Sequence, residues 1–110
     1  MTLLQQLNRE RAESNEALRL KVRARLRTVL RQFPVIEQVV VFGSLTKPHR
    51  FTSGSDIDLA LETEPPEPSL YQLTALLAEE MARPVDIILL PKCRFRDRIA
   101  REGEKWILAA

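Results

Sequence analysis

Three carboxylates sit among residues that otherwise build a core. Asp56 and Asp58 lie two apart in Asp56-Ile57-Asp58-Leu59-Ala60-Leu61, and Asp86 lies one residue into Val85-Asp86-Ile87-Ile88-Leu89-Leu90. A period of two puts Ile57, Leu59 and Leu61 on one face of a strand. Asp56 and Asp58 fall on the other, with their side chains about 7 Å apart or less. Acids inside core-forming strands are costly unless they are paired or bind a cation. Like charges on one face repel, and a divalent cation removes that repulsion. Oxygen ligands of this kind suit Mg²⁺ or Mn²⁺, and two-metal sites use them to hold the attacking and leaving oxygens of a phosphoryl transfer. Asp-x-Asp alone equally fits a solvated strand face, so the pair needs a second signal. Upstream, Val39-Val40-Val41-Phe42 reads as a buried strand ending in Gly43-Ser44. Glycine there lets backbone approach a phosphate closely, and the serine adds a hydroxyl donor.

The elements that must position these residues follow from hydrophobic period. Leu18, Val22, Leu26, Val29, Leu30 and Phe33 form a helical stripe, with Pro34 forcing a stop near Phe33. Arg19, Arg23, Arg27 and Arg31 recur every fourth residue on another face, expected to point to solvent or to an acidic partner. Ser14 could cap this helix after a short amphipathic one, or a single helix could run through. The stretch from Ser44 to Ser55 reads as a loop with room for one helical turn. Glu64-Pro65-Pro66-Glu67-Pro68 is a stiff connector, and Ser69 caps a helix with a stripe of Leu70, Leu73, Leu76, Leu77 and Met81, ended by Pro84. A third strand spans 85–90, a short helix spans 95–102 up to Gly103, and Trp106-Ile107-Leu108 forms a last edge strand or a packed tail. The fold class is therefore α+β: a small mixed sheet packed with helices in two or more layers, with an N-terminal helical extension.

The chain has 110 residues, the length of one domain, and a formal net charge of +2. That excludes an enzyme with separate nucleotide and substrate domains. The charge is uneven: residues 1–33, a basic amphipathic segment, carry +5, and residues 34–110 carry −3. Direct nucleic-acid binding by the arginine row is not expected, because the apolar stripe beside it must bury and few aromatics are present for base stacking. Cys93 is the lone cysteine and His49 the lone histidine. An internal disulfide is excluded and a Cys–His nucleophile is not expected. No apolar run reaches the roughly 18 residues of a membrane span, and the N-terminus lacks the order of a signal peptide. The expected location is the cytoplasm. Leu3, Leu4 and Leu7 form a small apolar patch that would either fray or dock on a partner or a second copy, as in a homo- or hetero-oligomer.

Taken together, Val41-Phe42-Gly43-Ser44, a spacer, and Ser55-Asp56-Ile57-Asp58-Leu59 resemble the nucleotidyltransferase superfamily related to DNA polymerase β. Asp86 resembles the family's third carboxylate, and Arg96 to Gly103 resembles the tail helix of its small stand-alone members. The likeness runs from about Val35 to Trp106, so residues 34–110 are identified as a minimal nucleotidyltransferase domain. The spacer from Leu45 to Ser55 is eleven residues, one more than the usual ten, and the arginines that small members often carry just after Gly-Ser are missing here, with Lys47 and Arg50 the only cations nearby.

The resemblance implies that Gly43 and Ser44 hold the β- and γ-phosphates of a nucleoside triphosphate, ATP. It implies that Asp56 and Asp58 bind the metals shared with those phosphates. Asp86 would bind the second metal and help deprotonate the acceptor. The small members resemble MNT antitoxins paired with HEPN ribonuclease toxins, which implies transfer of AMP to a hydroxyl, a tyrosine, of a partner protein. A partner that is itself the acceptor suits so short a chain. The alternative is a binding module that silences its partner by contact alone.

Overall fold

The computed structural model describes residues 1–108. Helix α1 runs unbroken from Leu3 to Leu30. The start signal is Thr2, not Ser14: Thr2 and Gln5 form a reciprocal capping box, which satisfies N–H groups that a helix start otherwise leaves open. The helix ends three residues before Phe33, and a pair of turns carries the chain to Pro34. Only its C-terminal half is packed. Val22, Leu26, Val29 and Leu30 are buried, whereas Leu3, Leu4 and Leu7 are exposed. At 1.5 Å per residue α1 is about 42 Å long, and the molecule measures 55 Å along its longest axis.

Four strands follow: β1 (Gln38–Phe42), β2 (Ile57–Leu61), β3 (Val85–Leu89) and β4 (Glu104–Ile107). They form one sheet in the order β3-β2-β1-β4. β1 is antiparallel to β2 and β4, and β2 is parallel to β3, so the sheet is mixed, as expected. The parallel pair needs a crossover, which helix α2 (Leu70–Met81) provides. Ser69 caps α2 in a capping box with Gln72. Helix α3 (Arg96–Glu102) precedes β4. Of the Trp106-Ile107-Leu108 tail, Trp106 and Ile107 lie in the edge strand β4, with Val39 opposite Trp106.

The strand alternation sorts the core into two layers. Val39, Val41, Ile57, Leu59, Leu61 and Val85 face α1 and α2. Val40, Ala60 and Leu90, with Phe42 and Ile88 beside them, face Ile99 of α3. Gly103 permits that second contact, because a Cβ there would come 2.6 Å from Val40 Cγ1 and 2.7 Å from the Ile99 carbonyl. One stripe residue departs from expectation. Leu76 is 41% exposed, because Leu73 and Leu77 already fill the surface that α2 turns to the sheet. No helix among the described residues is long and apolar enough to cross a membrane.

Candidate active site

β1 delivers the chain to Gly43, which turns it out of the sheet at a φ of +77°. That conformation is costly for any residue with a Cβ. A single 3-10 turn, Gly43–Thr46, follows. The Thr46 hydroxyl donates to the Gly43 carbonyl at 2.8 Å, and Leu45 plugs the turn into the core, fully buried. The glycine has a second use. Phe42 pairs with Asp58 across the sheet, and the space where a Gly43 side chain would stand holds the Asp58 carboxylate. An added Cβ would overlap its Oδ2 and lie 3.3 Å from its Cγ.

Asp58 lies on β2 with its neighbours Ile57 and Leu59 buried against α1 and α2. Its partner in the parallel register is Asp86 of β3, so residues 28 positions apart in sequence meet side by side. Asp56 is placed differently from expectation. β2 begins at Ile57, so Asp56 precedes the strand rather than occupying it. Its backbone is held from both sides: the Ile57 N–H donates to the Pro84 carbonyl at 3.0 Å, and Arg83 donates to the Ser55 carbonyl at 2.8 Å. Asp58 is half-buried, and Asp56 and Asp86 are exposed. Burial first, then the charges of Asp86 and Asp56, push the Asp58 carboxyl above its ordinary value. None of the three carboxylates takes part in a hydrogen bond or ion pair among those formed by the described residues.

This all-oxygen donor set carries uncompensated like charge, which suits a divalent cation. No group of three such side chains among the described residues stands close enough, as placed, to enclose one ion. The fit is therefore one of chemistry and charge, with Asp58 and Asp86 as the adjacent pair.

The loop from Lys47 to Ser55 is anchored in the core. Phe51 is fully buried within it, with the Arg83 guanidinium 4.8 Å from its ring centroid. Thr52 and Ser55 close a small turn, the Thr52 N–H donating to Ser55 Oγ at 2.9 Å. Lys47 and Arg50 stay exposed.

The arginine row of α1 also departs from expectation, because most of it turns inward. Arg19 is buried at 7% exposure. It donates to both carboxylate oxygens of Glu16, at 2.8 and 3.0 Å, and to the Leu45 carbonyl at 3.0 Å. Arg23 donates to the same carbonyl at 3.2 Å and to Glu104 at 2.8 Å. Arg27 stacks 4.3 Å from the centroid of Trp106, a buried core residue. Glu16 also accepts the backbone N–H of His49 at 3.0 Å. α1 thus braces the Gly43 turn and the loop after it. Nothing local in the sequence marks Arg19 or Arg23 for this, since their acceptor is a backbone carbonyl more than 20 residues away.

The hydrogen bond from Arg19, reinforced by that from His49, holds the Glu16 carboxyl at about 2. A depressed carboxyl contributes stability above its unfolded value, and that contribution fades as pH falls through its folded value. The stability gap between the wild type and Glu16→Gln should accordingly narrow as pH drops from about 4.5 toward about 2. Denaturant unfolding across that range measures it, and a constant gap would separate Glu16 from the brace.

Residues 24–107 match the family model described as polymerase beta, nucleotidyltransferase. The matched stretch includes Gly43, Ser44, all three carboxylates and the last two turns of α1, with Leu26, Val29 and Leu30. No curated protein matches the chain.

Proposed function

We propose, for a chain that belongs to the polymerase beta nucleotidyltransferase family, that it transfers AMP from ATP to a hydroxyl of a partner protein, in the manner of an antitoxin modifying a HEPN-type toxin. One observation carries this reading. Gly43, at a φ that favours glycine, leaves its side-chain space to the carboxylate of Asp58, which lies in register beside Asp86. That arrangement sets a glycine-led backbone turn against a pair of metal-type donors.

The turn's backbone and the Ser44 hydroxyl would hold the β- and γ-phosphates. Asp56, Asp58 and Asp86 would hold magnesium, which when bound draws charge from the departing pyrophosphate and from the attacking oxygen. Asp86 stands on the sheet's edge strand, exposed, where an incoming hydroxyl can reach it and pass it a proton. The hydroxyl oxygen then forms its bond to the α-phosphorus as the bond to the pyrophosphate oxygen breaks, and pyrophosphate keeps that electron pair.

A second reading is neutralisation by contact alone. It is favoured by the separation of the three carboxylates, which do not close around a single ion as placed. Both are tested by incubating the protein with ATP, Mg²⁺ and a HEPN-type partner, then weighing the partner by mass spectrometry. A gain of one AMP, lost in the double variant Asp56→Ala plus Asp58→Ala, supports transfer. Full neutralisation by that double variant with no gain of mass overturns transfer in favour of contact.

A further inference from the structure

A concavity of about 300 Å³ opens between the Gly43 turn and α3, lined by Phe42, Gly43, Lys47, Phe95, Arg98 and Ile99 among others. This volume is at the lower end of small-molecule pockets. Gly43 belongs to both places: its side-chain space meets the Asp58 carboxylate, and it lines this concavity. Phe95, just before α3, is 56% exposed. An aromatic ring of that size is normally covered. It has the Arg94 guanidinium 5.3 Å from its centroid. Two cations, Lys47 and Arg98, stand at the rim. Arg98 is partly neutralised by Glu102 at 3.2 Å, which leaves Lys47 as the uncompensated charge there.

We propose that this concavity is the nucleoside subsite: the base stacks on Phe95, and Lys47 meets the phosphates where they pass toward the Gly43 turn. The inference rests on the nucleotidyl-transfer reading and adds to it the group that recognises the nucleoside. The chemistry on the page favours a nucleoside over a purely apolar occupant. A flat apolar surface backed by a guanidinium suits a π-system, and the positive rim suits the anionic chain attached to it. Because Phe95 lies outside both core layers, it can be changed without emptying either.

The test compares the binding of Mg·ATP and of magnesium tripolyphosphate by calorimetry, in the wild type, Phe95→Ala and Phe95→Trp. Loss of one base–aromatic stack should weaken ATP roughly tenfold in Phe95→Ala. Tripolyphosphate, which has no base, should bind all three proteins equally, and Phe95→Trp should hold ATP at least as tightly as the wild type. Equal weakening of both ligands, or unchanged ATP affinity in Phe95→Ala, overturns the subsite. A wild type that binds tripolyphosphate as tightly as ATP also overturns it but leaves nucleotidyl transfer standing. A wild type that binds neither overturns both.

Discussion

Asp58→Asn should silence nucleotidyl transfer and, in the same protein, raise the melting temperature. The carboxylate is half-buried, and burial followed by the charges of Asp86 and Asp56 pushes its carboxyl upward from 3.8. A carboxyl that is harder to ionise in the folded state opposes folding once it is charged. The cost is absent below the unfolded value, grows as pH rises past about 3.8, and is complete above the folded value. The amide keeps the shape and removes the charge. The side chain remains partly in water, so the gain is at most about 1 kcal/mol, or a few degrees in a domain of this size. At pH 3 the two proteins should melt alike.

Transfer should fall by about 10³-fold, the upper range for losing one electrostatic contact to a transition state. Magnesium should raise the melting temperature of the wild type, because a ligand that binds only the folded state stabilises it by mass action, and it should do so weakly or not at all in Asp58→Asn. Calorimetric melting with and without Mg²⁺ checks both. A variant that melts below the wild type at pH 7 would show that Asp58 is held by a favourable contact, and retained transfer would remove it from the site.

Gly43→Ala is the second change with a large expected effect, and it acts on the same carboxylate from the opposite side. The backbone φ of +77° costs an alanine about 1–2 kcal/mol. The new Cβ would also occupy the place of Asp58 Oδ2. The cheapest relief is rotation of the Asp58 side chain, since the turn itself is anchored by fully buried Leu45 and by Arg19 and Arg23 on the Leu45 carbonyl. The protein should therefore still fold, with a melting temperature lower by several degrees. Transfer should drop on the order of 10²-fold, the usual consequence of displacing a catalytic group by about 1 Å. Steady-state kinetics and melting of the variant measure the two effects. Near wild-type transfer would mean that the Asp58 carboxylate does not need to stand against the turn. A Gly43→Ala protein that fails to fold would place the turn in the scaffold instead.

Much of this protein was legible because the relevant physics is local. Period-two alternation in Ile57 to Leu61 placed Asp58 on the face opposite Ile57 and Leu59, away from α1 and α2, although that face also carries a core layer. The four-three spacing from Val22 to Leu30 marked the buried face of α1, and Ser69 and Pro84 bounded α2. Gly43 after a β-branched strand marked the turn. Elsewhere local rules led astray. The boundary of β2 excludes Asp56, because pairing with Pro84 of a distant segment decides where the strand begins. The stretch from Ser44 to Ser55 read as a loop with one helical turn, and the turn is there, but nothing local marked Phe51 for burial. An arginine every fourth residue signalled a solvated face.

While the unity of α1 and the edge strand β4 were left open, the sequence by itself determined the order of the central strands and helices, the side of β2 that carries Asp58, and the glycine that can turn beside it. These depend on chain geometry within a few residues. The tertiary structure decided that Asp86 stands next to Asp58, that Phe95 borders a concavity, and that Arg19 and Arg23 grip the Leu45 carbonyl. Each of these brings together groups far apart in the chain, so it exists only once the sheet has closed. Arginine makes the gap widest, because its long apolar stem can lie along a protein surface while its charged head reaches water or an internal acceptor. Which of the two it reaches depends on whether folding brings an acceptor within range.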